Sequence, residues 1–152
     1  MIAKPLERML LGRMKTPIGQ TLIVFDNEER LRALAWVEYE PRMMRTLHLQ
    51  YGVDVSLKAG RGPASIVTAL EAYFDGDLTK LDGIECSFGG TQFQQAVWTA
   101  LRTIPAGQTL SYGDLAARLG RPKAVRAAGA ANGANPIPIV IPCHRVIGAD
   151  KT

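Results

Sequence analysis

The 152-residue chain has little of what marks several common protein classes: two cysteines, two histidines and only 7% aromatic residues. Cys86 and Cys143 are too few and too far apart for the disulfide framework of a small secreted domain, so two free thiols in a reducing compartment are expected. With His48 and His144 they are the whole supply of thiol and imidazole, and no pair has zinc-finger spacing, so no metal site is expected. No apolar run approaches the roughly 20 residues of a membrane span. The start, MIAKPLERMLLGRMK, scatters charges through any export-signal core, and a cytoplasmic protein is expected.

Acidic residues are scarce in one place. Residues 1–100 carry 11 Lys+Arg against 12 Asp+Glu, whereas residues 101–152 carry 7 against 2. The whole net charge of +4 therefore comes from the C-terminal third, which points either to a polyanionic partner or to a solvated basic face. Hydrophobic residues make up 47%, enough for a core in one compact unit or two small lobes.

Three apolar segments, LLGRMKT, GQTLIVFD and LRALAWVE, are separated by Pro17, Gly19 and NEER, the pattern of an antiparallel meander. Residues 41–62 read as a short helix followed by loop. PASIVTALEAYFDG has apolar residues at 66, 67, 70, 73 and 74, the spacing of an amphipathic helix closed by Gly76. Residues 77–90, with Gly83, Gly89 and Gly90, read as a linker. An α+β fold follows, with an N-terminal lobe over 1–85 and a helical lobe over 86–152.

In the second lobe Phe93, Val97, Leu101 and Ile104 fall on one helical face, stopped by Pro105 and Gly107. SYGDLAARLG forms a second helix with Ser111 as its cap, Leu115 and Leu119 facing inward and Gly120 at its end. RPKAVRAAGAANG forms a third, with Pro122 near its first turn and Gly133 beyond its end. Two short helices joined by a Gly-containing turn, the second basic, make a helix-turn-helix candidate. On the third helix Ala124, Ala127, Gly129 and Ala130 surround Arg126, the single charge of residues 124–134. Such small residues serve tight helix packing, or let a helix approach a narrow minor groove with one cation projecting into the base stack.

Cys143 lies in PIPIVIPCHRV. A lone cysteine in an apolar run is commonly a packing residue. Here Pro142 sets a rigid turn before the thiol, and the polar neighbours His144 and Arg145 favour thiolate, so a nucleophile is a second reading. In an extended segment adjacent side chains diverge, so His144 would reach the sulfur only through a turn or a bridging water.

PCHRV preceded by NPIPIVI, together with SYGDLA, RAAGAANGANP and FQQAVW, resembles the O6-alkylguanine-DNA alkyltransferase family over about Gly90 to Gly148. The resemblance implies a ribonuclease H-like N-terminal lobe and a helix-turn-helix lobe that binds duplex DNA through the minor groove as a monomer. It implies irreversible transfer of an alkyl group from guanine O6 to Cys143, without cofactor, in a protein consumed by its own reaction. His144 would take the thiol proton through a water, and Arg145 would hold backbone carbonyls. Arg126 would fill the place of the extruded nucleotide, and Tyr112 would crowd its phosphate and reach the base. Asn135 would link the recognition helix to the cysteine loop, Pro138 would line the alkyl pocket, and the carbonyls of Cys143 and Val146 would accept from the guanine amine.

Two other readings differ in class. A lesion sensor without chemistry would not need Cys143, and a transcription factor would want polar base readers on its third helix. In the family a Gly-rich loop and a helix with a histidine-orienting glutamate follow RVIGADKT, so the sequence raises the expectation of a longer protein, or of a shortened form with impaired transfer.

Overall fold

The computed structural model describes residues 8–52 and 55–148. The opening MIAKPLE and the closing ADKT, on which the export-signal and tail expectations partly bear, lie outside them, as do Val53 and Asp54. The chain separates into two compact units, Met1–Gly89 and Gly90–Thr152.

In the first unit the expected meander is present as β1 (Arg8–Thr16), β2 (Gly19–Phe25) and β3 (Leu31–Trp36). Their order is β3-β2-β1, continued by a fourth strand, β4 (Ser56–Ala59), that runs parallel to β1. The sheet is therefore mixed: residues 56–59, read above as loop, join the free edge of β1 after α1 (Glu40–Tyr51) carries the chain back. A parallel partner requires such a crossover, which a short sequence window does not reveal. Leu22 and Val24 of β2 share a core with Met43 and Leu47 of α1, while Ile23 points to the other face. There, any side chain at Gly62 would come within 2.9 Å of Ile23 and 2.8 Å of Val67 in α2 (Ala64–Phe74). A strand covered on both faces explains why TLIVF is apolar without alternation.

The reading of 77–90 as linker is corrected. Lys80–Gly83 forms a 3-10 turn with Leu81 buried, Ile84 is buried after it, and residues 85–87 run beside β3. Leu31 donates to the Glu85 carbonyl at 2.8 Å and Ser87 donates back to Leu31 at 3.0 Å. Two apolar anchors outweigh the glycines around them.

In the second unit α3 (Gln92–Leu101) starts at a capping box: Thr91 Oγ1 accepts from Gln94 N and Gln94 Oε1 accepts from Thr91 N. Ser111 caps α4 (Tyr112–Arg118) as expected, accepting from Asp114 N at 3.0 Å. Leu115 is fully buried whereas Leu119 is half-buried. The third helix, α5 (Val125–Gly133), is shorter than the sequence indicates. Pro122 stands in the preceding turn, where Ala124 N bonds to Arg121 O, and Gly133 is the last helical residue rather than the one beyond. Trp98 is buried in the core and donates from Nε1 to the Ala131 carbonyl at 2.8 Å, tying α3 to α5.

Candidate functional site

The site is built from the segment between α5 and the strand β6 (Val146–Ile147). Asn135 organises its start. Its Oδ1 accepts from Ile137 N at 2.9 Å, closing a turn, and its Nδ2 donates to Ile141 O at 2.7 Å. Ile141 N in turn bonds to Ile137 O at 2.9 Å, so residues 137–141 form a closed loop gripped at both ends by one amide. Within that loop Ile139 has φ of 74°. A β-branched residue in the left-handed region is held there only by surrounding structure.

Pro142 follows at φ −80° and ψ 69°, with Cys143 N donating to Ile141 O at 2.8 Å. This is an inverse γ-turn centred on the proline ring. Cys143, His144 and Arg145 then make one 3-10 turn closed by Arg145 N to Pro142 O at 3.0 Å. The segment is thus not extended, and the divergence of side chains expected for a strand does not apply. Cys143 is half-buried with a free thiol. His144 is exposed, yet partial desolvation and, secondarily, the Arg145 charge hold its pKa below the ordinary imidazole value.

Three ties fix the thiol turn to its unit. Arg145 Nη1 donates to Ile104 O at 2.6 Å, Asn132 Nδ2 donates to Cys143 O at 3.3 Å, and β6 pairs in parallel with β5 (Leu110–Ser111). Because Ser111 pairs with Ile147, the first residue of α4, Tyr112, emerges beside the exit of the cysteine turn. Val146 is buried in this pair, and Pro138 is half-buried in the loop. The Arg145 and Asn132 contacts join residues 41 and 11 positions apart. Sequence reading missed Asn132 entirely, since an asparagine in a helical stretch gives no sign of what it faces.

The small residues of α5 separate by face. Ala128 and Ala131 are buried and serve packing, whereas Arg126, Ala127 and Ala130 are exposed. Gly129 is half-buried against the Tyr112 ring, 3.8 Å from where a Cβ would stand, and so is turned away from Ala127 and Ala130. Ala124 precedes the helix as its half-buried N-cap. Arg118, Arg121, Lys123 and Arg126 are all exposed along α4, the turn and α5, with the Arg121 guanidinium 5.6 Å above the Phe93 ring. Among the described residues no cluster of His, Cys, Asp or Glu could hold a metal ion, and no helix is long and apolar enough to cross a membrane.

Taken together, the second unit is a helix-turn-helix module that presents a basic, small-residue helix and carries a single thiol on a rigid turn. Two family descriptions match the chain: "6-O-methylguanine DNA methyltransferase, ribonuclease-like domain" over residues 9–88 and "6-O-methylguanine DNA methyltransferase, DNA binding domain" over 92–152. The chain belongs to the 6-O-methylguanine-DNA methyltransferase family. It is 48% identical over 146 residues to the methylated-DNA–protein-cysteine methyltransferase of Salmonella typhimurium, covering 95% of this chain and 85% of that protein. The Mycolicibacterium paratuberculosis protein of the same name is 57% identical over 89 residues, 59% of this chain and 53% of that one. Among solved structures, Mycobacterium tuberculosis OGT in complex with DNA superposes with a TM-score of 0.77 at 39% identity, covering 94% of this chain and 81% of that one. An O6-methylguanine-DNA methyltransferase from Pyrococcus kodakaraensis gives 0.67 at 25% identity, covering 94% and 88%.

Proposed function

We propose that the protein repairs DNA by moving an alkyl group from O6 of guanine onto Cys143, once per molecule. The observation that carries this reading is the half-buried free thiol on a proline-led turn, in the same unit as the exposed Arg126 face of α5. The thiol proton passes through a water to His144, whose lowered pKa keeps the imidazole neutral and able to accept it. Cys143 Sγ attacks the alkyl carbon in line, the S–C bond forms as the C–O6 bond breaks, and the electron pair leaves with guanine, which then takes up a proton. A thioether has no route back, so no cofactor or turnover step is needed.

O6 inside a duplex is stacked, so the nucleotide must leave the helix to meet the thiol. Exposed Ala127 and Ala130 give α5 a low profile suited to the minor groove, Arg126 replaces the extruded base, and the neighbouring basic residues meet phosphates. Tyr112, next to the cysteine turn, contacts the flipped nucleotide, with Asn135 and Pro138 shaping the alkyl pocket and the carbonyls of Cys143 and Val146 reading the guanine amine. One thiol removes one lesion, so a cytoplasmic monomer suffices. Intact mass and peptide mapping after incubation with O6-methylguanine duplex test the assignment: one methyl on Cys143 is expected, lost in Cys143→Ser and kept in Cys86→Ser. Binding without any adduct would favour a lesion sensor.

A further inference from the structure

Asn132 is the only buried polar residue of the second unit among the described residues, at 8% exposure in the last turn of α5. Its Nδ2 reaches the Cys143 carbonyl at 3.3 Å, beside the Val146 N–H that the same oxygen accepts, while its Oδ1, buried as well, has no hydrogen-bond partner among the described residues. A buried acceptor left unpaired weakens a fold, and a leucine would fill similar space without that penalty. The amide thus carries one paired and one unpaired polar end where an apolar side chain would carry neither. What the amide does provide is a direct grip on the backbone of the nucleophile from the helix that presents Arg126 six residues earlier.

We propose that Asn132 is a positioning residue for the alkyl transfer set out above: by fixing the Cys143 carbonyl it fixes the Cα–Cβ direction, and hence the line along which Sγ meets the alkyl carbon. In-line displacement at carbon tolerates little angular error, and a misplacement of about 1 Å lowers such rates by about a hundredfold. Asn132 differs in this from Asn135, which shapes the loop ahead of the turn and has both polar ends occupied within it.

The test compares Asn132→Leu and the isosteric Asn132→Asp with the wild type in four measurements: single-turnover transfer from O6-methylguanine duplex, affinity for undamaged duplex, thermal midpoint, and alkylation of Cys143 by iodoacetamide. The small soluble reagent is not held in register with the thiol and so reports reactivity without alignment. Expected for Asn132→Leu are a midpoint equal to or above wild type, duplex affinity and iodoacetamide rate within about twofold, and transfer slowed about tenfold to a hundredfold. Unchanged transfer in a stable Leu variant overturns the proposal. So does an iodoacetamide rate that falls in parallel with transfer, which would make Asn132 an activating residue. If the Leu variant has a lowered midpoint, Asn132→Asp decides: slow transfer at a wild-type midpoint supports positioning, full transfer overturns it. Absence of any wild-type transfer to Cys143 would instead sink the proposed function, leaving the two failures distinguishable.

Discussion

Arg145 Nη1 donates to the carbonyl oxygen of Ile104 at 2.6 Å, joining the cysteine turn to the turn that follows α3 across 41 residues. A hydrogen bond from a charged donor contributes about 1.5–3 kcal/mol, and the half-buried guanidinium places this one near the lower end. Arg145→Ala should lower the stability of the protein by about 1.5 kcal/mol, with Arg145→Lys recovering part of it. Urea denaturation followed by tryptophan fluorescence measures this, and equal midpoints for all three proteins would refute it.

The same arginine bears on pH dependence. His144 titrates below the ordinary value because of partial desolvation and then the Arg145 charge, so at any mildly acidic pH it is less protonated than a free imidazole. As pH falls the unfolded chain takes the proton first, so this group's small stabilising effect is complete above about 6.5 and is lost below it. The acid decline of the transfer rate should therefore lie below the pH at which a free imidazole titrates, and Arg145→Met should move that decline upward. An acid limb unmoved by the substitution would remove His144 from the proton path.

Ile139 should reverse the usual order of two small residues. At φ of 74° an L side chain is disfavoured by about 1–2 kcal/mol, so Ile139→Gly should be more stable than Ile139→Ala by about 1 kcal/mol. In a helix interior alanine wins by a similar amount. Chemical denaturation of the pair checks the rank.

In the first unit, Asp26 and Arg32 are both buried, with Arg32 Nε donating to Asp26 Oδ2 at 2.8 Å and Arg30 Nε adding a bond at 2.9 Å. Burial alone would raise the Asp26 pKa, but hydrogen bonds from the Arg30 and Glu28 amides and the two guanidinium groups outweigh it and leave the pKa lowered. Asp26→Ala should destabilise by about 3 kcal/mol, as expected when one member of a buried pair is removed. In the wild type this stabilisation is complete above the unfolded carboxylate value near 3.9 and is lost as pH falls through the lower folded value. Asp26→Asn should flatten the acid limb of stability against pH.

Arg126→Ala should slow repair of duplex lesions by about tenfold or more while sparing reaction with free O6-benzylguanine, because only the duplex route needs a base replaced in the stack. Stopped-flow on the two substrates separates these effects, and equal losses would make Arg126 a residue of the fold.

Much of this protein is legible in its local sequence. The meander follows from apolar runs between turn residues, and α2 and α4 from apolar spacing and the Ser111 cap. The basic C-terminal third and the cysteine motif follow from residue identity alone, because charge and nucleophilicity belong to side chains wherever they sit. Tertiary structure decided what depends on partners distant in sequence: the parallel seat of β4 on β1, the anchoring of residues 84–87 beside Leu31, and the division of the α5 alanines into a packed and an exposed face. It also made PCHR a turn rather than a strand, since the γ-turn at Pro142 and the left-handed Ile139 sit in a loop closed by Asn135 and tied to its unit by Arg145. Composition supplies the thiol, but its direction is set by hydrogen bonds that no local pattern encodes.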